Sequence, residues 1–178
     1  MVYAFKTAGA AAEEGCDLDA VTAVAQKTAD SCRSIGVALS PCTVPQAGKP
    51  TFEIADDEIE MGMGIHGEPG IWRGKLRTAD EIATEMMERL LADMPLSGGD
   101  KVSVMVNSLG ATPPEELYIL YNKVKEALEA SGASIVMPLV GRYATSMEMA
   151  GVSFTIFKLD DELESLLKAP CDCAFWRV

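Results

Sequence analysis

Apolar residues recur at helical spacing in four parts of the chain, each opened by a residue that can cap a helix. Asp17 is predicted to cap the first of these helices and Asp160 the last. Thr78 and Glu81 predict a capping box, in which the two residues satisfy free N–H groups reciprocally. Thr112 is predicted to open a second capping box, with a proline at the first helical position. The predicted helices cover residues 16–33, 78–94, 112–131 and 160–167.

Short apolar runs lie between these helices and predict strands. From residue 58 the sequence alternates strictly. One face of this stretch holds Ile59, Met61, Met63 and Ile65, and the other holds Glu58, Glu60, Gly62, Gly64 and His66. Residues 51–54 are predicted to pair with it as a hairpin. The other predicted strands cover residues 34–39, 101–106, 134–140 and 152–159. Strands that alternate with helices, together with a hairpin, predict an α/β domain with a layered mixed sheet and flanking helices.

The candidate chemistry lies in a glycine-rich segment, residues 61–70. Gly62, Gly64 and Gly67 have the spacing G-x-G-x-x-G. In dinucleotide-binding proteins this motif joins a strand to a helix whose N-terminus meets the pyrophosphate. Here a Pro-Gly pair follows at once, and the glycines lie inside the alternating stretch. The sequence therefore argues against a Rossmann-type nucleotide site.

A different interpretation follows from the strand pattern. Gly62 and Gly64 share the predicted face of His66, and a strand face without side chains lets another backbone or a small ligand approach closely. The neutral imidazole ring of His66 is a nucleophile, which Glu68 can orient or polarise. The alternative is that His66 is a surface residue and that the glycines serve only a turn and a strand crossing.

Charge and cysteine content narrow the classes of partner. The chain has 27 acidic and 15 basic residues and a formal net charge of −12, so nucleic acids and anionic membranes are not expected partners. Five cysteines without a Cys-x-x-Cys pair predict free thiols in a reducing compartment, and no metal site is predicted from the single histidine. No apolar stretch approaches the roughly 20 residues that span a bilayer, and the N-terminus does not resemble a signal peptide. A cytoplasmic location is expected.

The segment Gly64–Gly70, which reads Gly-Ile-His-Gly-Glu-Pro-Gly, resembles the substrate-histidine motif of dihydroxyacetone kinases. Further segments resemble other signatures of this family in the same order along the chain, at residues 8–13, 34–39, 42–50, 107–113 and 145–151. The resemblance is to the C-terminal half of the substrate-binding K subunit and implies the fold of that subunit's second domain. It divides the chain into an inter-domain helix, residues 1–16, and one α/β substrate-histidine domain, residues 17–178.

By this resemblance His66 captures dihydroxyacetone as a covalent hemiaminal, with Gly62, Gly64 and Glu68 at the substrate. Glycerol has no carbonyl group, so a bond to the carbonyl carbon rejects this analogue. The phosphoryl group is implied to come from a nucleotide on a separate L subunit. That nucleotide is ADP recharged by a phosphotransferase chain, or ATP, with magnesium. No cofactor or metal is expected on this chain.

The resemblance also implies three partners: the L subunit, the N-terminal half of the K subunit, and a second copy in a homodimer. That half carries a Gly-Gly-Gly-Ser-Gly-His-Glu-Pro motif, which this chain does not contain. The isolated chain is therefore expected to hold the nucleophile without the rest of the pocket and to be inactive as a kinase. The alternative is a non-catalytic dihydroxyacetone-binding regulator, similar to the co-activator relatives of the family.

Two loops complete the candidates. Residues 107–112 join a predicted strand to a helix N-terminus, where an anion such as a product phosphate can bind. A capped connection explains the same sequence and is the preferred interpretation. Residues 142–148, which include Arg142, follow another strand, and the sequence gives them no specific role.

Overall fold

The computed structural model describes residues 1–65, 68–174 and 176–178. Within them the helices are α1 (Val2–Glu13), α2 (Leu18–Asp30), α3 (Ala79–Asp93), α4 (Pro114–Ala130) and α5 (Asp161–Lys168). The strands are β1 (Cys32–Ala38), β2 (Glu58–Met61), β3 (Trp72–Lys75), β4 (Lys101–Ser108), β5 (Ser134–Gly141) and β6 (Gly151–Leu159). The strands form one sheet in the order β3-β2-β1-β6-β4-β5.

The sheet is mixed, as predicted. β4 and β5 are parallel, with α4 as the connection between them, and every other neighbouring pair is antiparallel. β6 lies between β1 and β4 and pairs with both along most of its length. This position places the first residues of β6 beside the last residues of β1 and β4, and the candidate site lies at this end of the sheet.

Side chains at the predicted cap positions begin three of the helices. The carboxylates of Asp17 and Asp160 each accept a hydrogen bond from the N–H group three residues on, at 2.9 Å. Thr78 and Glu81 form the reciprocal capping box at the start of α3. These predictions are confirmed because the capping residue and the first turn are local in sequence.

The capping box predicted at Thr112 is wrong. α4 begins with Pro113 as N-cap and Pro114 at its first position, and no side chain caps it. The Thr112 hydroxyl group instead donates to the carbonyl oxygen of Gly151, at 2.8 Å. A tertiary hydrogen bond has displaced the local one. A proline does occupy the first helical position, but it is Pro114, one residue later than a cap at Thr112 implies.

Helices cover both faces of the sheet, as the alternation along β4 illustrates. Val102, Val104 and Val106 pack in one core with α3 and α4. Met105 faces the opposite side, in a second core with residues of α1, α5 and the C-terminal segment. The helices and the central sheet therefore form three layers.

α1 packs closely against the body of the domain. Tyr3 is 2% exposed, its ring centroid lies 4.8 Å from that of Phe157, and its hydroxyl group is 2.7 Å from the Ser103 hydroxyl group. The hydroxyl groups of Thr7 and Thr28 join α1 to α2, at 2.7 Å. The helix predicted within residues 1–16 is present, and its role between domains stays a prediction. Within the described part of the chain, no helix is both long and apolar enough to cross a membrane.

The predicted hairpin between residues 51–54 and β2 is wrong. Thr51 donates its N–H group to the carbonyl oxygen of Cys42, at 2.9 Å, and so closes a loop with residues that follow β1. β2 pairs instead with β1 and with β3, a strand that the sequence analysis missed. β2 also ends at Met61, five residues before the predicted end at His66.

Candidate functional site

The chain leaves the sheet after Met61 and returns to it at Trp72, and backbone hydrogen bonds close the two ends of the segment between them, residues 62–70. The Gly62 N–H group donates to the carbonyl oxygen of Gly36 at 2.6 Å, and the Ile71 N–H group donates to that of Met61 at 2.6 Å. Gly62 has a φ of +82°, a conformation that glycine adopts without strain. The chain therefore turns away from the strand direction at Gly62, which is why the alternation of the sequence does not continue as a strand.

The close backbone approach in this region occurs on β1. A Cβ atom at Gly36 would lie 2.5 Å from the carbonyl oxygen of Met63, so the chain after β2 crosses directly over Gly36. A glycine inside a predicted strand signals such an approach. That signal is present in the sequence at Gly36, and the close approach occurs there and not at Gly62 or Gly64, where it was predicted.

The side chains of Ile71 and Glu68 fill the space that Gly62 and Gly64 leave. A Cβ atom at Gly62 would lie 2.6 Å from the side chain of Ile71, and one at Gly64 would overlap the carboxylate of Glu68. Gly64 also donates its N–H group to the carbonyl oxygen of Glu68, at 3.2 Å. The Cβ positions of both glycines are therefore occupied by neighbouring side chains, and the structure brings Gly64 and Glu68 together. His66 and Gly67 lie outside the described residues, so the substrate role of His66 and the orienting role of Glu68 stay predictions.

A buried carboxylate lies at the base of the segment. Glu60 is 7% exposed, and its Oε1 atom accepts a hydrogen bond from the Gly70 N–H group at 2.8 Å. Its Oε2 atom accepts from Nε of Arg73, on the neighbouring strand, at 3.0 Å. Burial alone raises the pKa of a carboxyl group, but these two donors outweigh it and hold the pKa of Glu60 below its usual range.

A cavity of about 460 Å³ lies over the face of the sheet beside the segment. Its polar lining includes Ser34, Asn107, Ser153 and Thr155, and its other lining residues include Gly36, Met63, Gly64, Ile65 and Met105. The Ser34 and Thr155 hydroxyl groups lie 2.7 Å apart on neighbouring strands. The lining is mainly apolar with a few polar groups, and a cavity of this size and character suits a small ligand.

Asn107 in this cavity has a structural role. Its amide group donates to the carbonyl oxygen of Ala144 at 2.7 Å and to the Ser153 hydroxyl group at 3.1 Å. Its side-chain oxygen accepts from the N–H groups of Tyr143 and Ala144, at 2.8 and 3.0 Å. Asn107 therefore fixes the start of the loop after β5 against β4.

The loop between β4 and α4 is held by tertiary hydrogen bonds, and the side-chain cap preferred from the sequence is absent from the start of α4. Three consecutive N–H groups, those of Leu109, Gly110 and Ala111, donate to oxygen atoms of Gly151, Ser108 and Met149 respectively. These donors are therefore engaged within the protein. The interpretation of this loop as an anion site has no support from them.

The loop between β5 and β6, to which the sequence gave no specific role, contacts residues that follow β1. The carboxylate of Glu148 accepts a hydrogen bond from the Thr43 N–H group at 2.7 Å, and Ser146 lies with its hydroxyl group 3.3 Å from the Cys42 thiol. These contacts dock Cys42 and Thr43, which follow β1, against the loop between β5 and β6. All five cysteines are free. Among the described residues, no group of three or more His, Cys, Asp or Glu side chains is placed to hold a metal ion.

Comparison with known proteins adds the following findings. The family model described as "Dak1 domain" matches residues 1–175. The dihydroxyacetone-binding subunit DhaK of PTS-dependent dihydroxyacetone kinase 2 from Listeria innocua is 48% identical over 174 residues, which are 98% of this chain and 53% of that protein. The chain thus spans about half the length of this relative.

Two solved structures illustrate the shared fold. The dihydroxyacetone kinase operon co-activator Dha-DhaQ has a TM-score of 0.87 and 32% identity, over 95% of this chain and 53% of that one. The dihydroxyacetone kinase from C. freundii, in complex with AMP-PNP and Mg²⁺, has a TM-score of 0.86 and 30% identity, over 99% of this chain and 32% of that one. The predicted fold class is confirmed.

Proposed function

This chain belongs to the Dak1 domain family, and we propose that it is the substrate-histidine half of the substrate-binding subunit of a dihydroxyacetone kinase. The observation that carries the proposal is its 48% identity, over 98% of its length, to a protein named as a dihydroxyacetone-binding subunit. The motif of residues 64–70 and the adjoining cavity support it. The proposed substrate is dihydroxyacetone, and the proposed capturing group is His66.

The proposed capture is an addition reaction. A ring nitrogen of neutral His66 attacks the carbonyl carbon of dihydroxyacetone, a carbon–nitrogen bond forms, and the π electrons of the carbonyl group move to its oxygen atom. That oxygen atom gains a proton and the other ring nitrogen loses one, so nothing leaves and the product is a neutral hemiaminal. Glu68 is proposed to orient the ring during this step.

Gly62 and Gly64 are proposed to act through the backbone. Gly62 provides the positive φ at which the segment leaves β2, and Gly64 accommodates the side chain of Glu68. Both glycines line the cavity. A larger residue at either position would therefore change the segment next to the proposed substrate.

Phosphoryl transfer is proposed to need partners. The proposed donor is a nucleotide with magnesium on a separate L subunit, consistent with the AMP-PNP and Mg²⁺ in the C. freundii kinase structure. This chain is proposed to bind no cofactor itself. Its other proposed partners are the N-terminal half of the K subunit and a second copy of the chain in a homodimer.

A second candidate is a non-catalytic dihydroxyacetone-binding regulator. The likeness to the co-activator Dha-DhaQ, with a TM-score of 0.87, supports it as much as the value of 0.86 for the C. freundii kinase supports the first candidate. Turnover separates the two candidates, because a regulator binds the ketone without passing a phosphoryl group to it. Retention of a histidine in the motif favours capture of a carbonyl compound.

The test is turnover in the assembled enzyme. The chain is combined with an N-terminal K half and an L subunit, and phosphorylation of dihydroxyacetone is measured with glycerol as the comparison substrate. The proposal predicts that wild-type protein phosphorylates dihydroxyacetone and not glycerol, that His66→Ala abolishes turnover, and that Glu68→Gln lowers it. Lys125→Ala, at an exposed ion pair on α4, is the control and is expected to be fully active.

Two outcomes would redirect the proposal. Binding of dihydroxyacetone without turnover by the wild-type assembly would favour the regulator. Full activity of His66→Ala would exclude His66 as the capturing group. The proposal also places the nucleotide on the L subunit. Calorimetric titration of this chain with ADP and ATP should therefore show no binding of either nucleotide at micromolar concentration.

A further inference from the structure

Glu60 makes contacts that pairing between β2 and β3 does not require. It lies directly opposite Arg73 in the strand register, and the Arg73 guanidinium group donates to its Oε2 atom through both Nε and Nη2. Its Oε1 atom is thereby left for the Gly70 N–H group, at 2.8 Å. The Glu60 carboxylate thus links Arg73, on β3, to Gly70, the last residue of the segment.

Stability of the sheet alone does not explain a carboxylate at this position. The Arg73 side chain is 42% exposed, and an ion pair with an exposed partner contributes little to stability. The backbone hydrogen bond from Ile71 to Met61 already closes the strand pair beside Glu60. The hydrogen bond to Gly70 is what an apolar residue could not supply.

Gly70 is packed directly on this carboxylate-bearing side chain. A Cβ atom at Gly70 would lie 2.5 Å from the carbonyl oxygen of Met61 and 2.7 Å from Cγ of Glu60. The end of the segment nearest β3 is therefore fixed by Glu60, while the end nearest β2 is fixed by the hydrogen bond from Gly62 to Gly36. Residues between two fixed ends have fewer conformations to lose when they bind a ligand.

We propose that Glu60 is a positioning residue for ketone capture, which acts by holding Gly70 and hence the segment that contains His66 in the sequence. The inference rests on the proposed function and adds a residue to it. Glu60 acts through the backbone and does not touch the substrate. Its carboxylate is needed for the geometry of the segment, and its charge is balanced by Arg73.

The test compares volume-matched variants at two paired carboxylates. Glu60→Met keeps the volume and removes the acceptors, whereas Glu60→Gln keeps an oxygen atom for Gly70. Glu85→Met is the matched control, because Glu85 is also a partly buried acceptor for a β3 residue, Trp72, at 2.7 Å. Its other hydrogen-bond partners among the described residues are Arg77 and Arg89, outside the segment.

Two properties are measured, with thermal melts to show that each variant is folded. The first is hydrogen exchange of the Gly70 amide in the chain alone. The second is the dissociation constant for dihydroxyacetone in the chain assembled with an N-terminal K half. Glu60→Met is expected to speed exchange at Gly70 and to weaken capture about tenfold, the effect of one hydrogen bond to a charged acceptor. Glu60→Gln is expected to weaken capture less than Glu60→Met does. Glu85→Met is expected to leave both the exchange rate and the dissociation constant unchanged.

Three results decide the matter. Unchanged capture in folded Glu60→Met overturns the inference, as does an equal loss in Glu85→Met. If Glu60→Met does not fold, Gly70→Ala displaces the same contact from the other side, and undiminished capture in that variant overturns the inference. His66→Ala is measured in parallel. If His66→Ala still captures dihydroxyacetone, the proposed function is wrong. Hydrogen exchange at the Gly70 amide tests the contact with Glu60 whether or not His66 captures the ketone.

Discussion

The Thr112 hydroxyl group bonds both backbone groups of Gly151: it donates to the carbonyl oxygen at 2.8 Å and accepts from the N–H group at 2.9 Å. Thr112 is 6% exposed and lies just before α4, while Gly151 begins β6. One side chain therefore ties the loop after β4 to the start of β6.

Replacement of Thr112 by valine should destabilise the protein by about 1–3 kcal/mol, because it leaves a buried N–H group without its acceptor. Thr112→Ser keeps the hydroxyl group and is expected to retain most of the stability. Chemical denaturation measures the free energy of unfolding of both variants. Equal stability of Thr112→Val and wild type would show that this tie contributes nothing.

The close approach at Gly36 predicts that alanine is destabilising there but not at an open glycine position. Gly36→Ala places a Cβ atom 2.5 Å from the Met63 carbonyl oxygen, so the crossing chain must move. A loss of about 1–3 kcal/mol is expected, as for other overpacked sites. Gly9→Ala is the control, because nothing lies within 4 Å of a Cβ atom at Gly9 and alanine favours a helix interior. Thermal melts should show Gly36→Ala below wild type and Gly9→Ala at or above it.

Removal of the Tyr3 side chain tests whether α1 is part of the folding unit. Tyr3→Ala is expected to lower the free energy of unfolding by about 3–5 kcal/mol, as for other large buried aromatic residues. Phe5→Ala on the same helix is the control, since Phe5 is 71% exposed and should tolerate the change. Denaturation curves compare the two variants. A wild-type curve for Tyr3→Ala would mean that α1 contributes no stability to the domain.

Local signals explain which parts of the fold were predicted from the sequence. The caps at Asp17, Asp160 and Thr78 depend on neighbours within three residues, and they were predicted at the correct residues. Thr112 has the same pattern, but its hydroxyl group bonds a residue 39 positions away. Sequence spacing cannot distinguish these cases, because a distant acceptor competes with the local one.

The error at β3 has a physical cause and a signal that was overlooked. Trp72–Lys75 is only four residues long and contains a glycine, so its own pattern is weak. Its strand pairing places Lys75 opposite Glu58 and Arg73 opposite Glu60. Opposite charges in matching alternation on two nearby segments predict a cross-strand pair. Residues 51–54 are apolar enough for a strand, but Thr51 is bonded to Cys42 instead.

The candidate site was predicted in part. Alternation correctly predicted the burial of Ile59, Met61 and Met63, but it continued past Gly62, where the backbone turns. The contribution of Glu60 could not be predicted from alternation, because a glutamate on a strand is usually exposed. Its burial depends on Arg73, which approaches only when β3 forms.

The lowered pKa of Glu60 predicts a pH-dependent difference in stability. Its folded-state pKa lies below the unfolded value of about 4.3, so the ionised carboxylate contributes stability at neutral pH. This contribution is lost as the pH falls through the folded-state pKa. The difference in unfolding free energy between wild type and Glu60→Gln should therefore be largest near pH 7 and shrink on acidification. A difference that is constant across this range would contradict the assignment.

The central claim is that His66 forms a covalent bond to the carbonyl carbon of dihydroxyacetone. The most direct measurement is ¹³C NMR of dihydroxyacetone labelled at its carbonyl carbon, bound to ¹⁵N-labelled chain that is assembled with an unlabelled N-terminal K half. The account predicts that the bound carbonyl signal is replaced by that of a tetrahedral carbon coupled to a ring ¹⁵N atom of His66, the single histidine of the chain. The signal should be absent in His66→Ala. A bound ketone that keeps its carbonyl resonance, or an unchanged adduct in His66→Ala, would contradict the account.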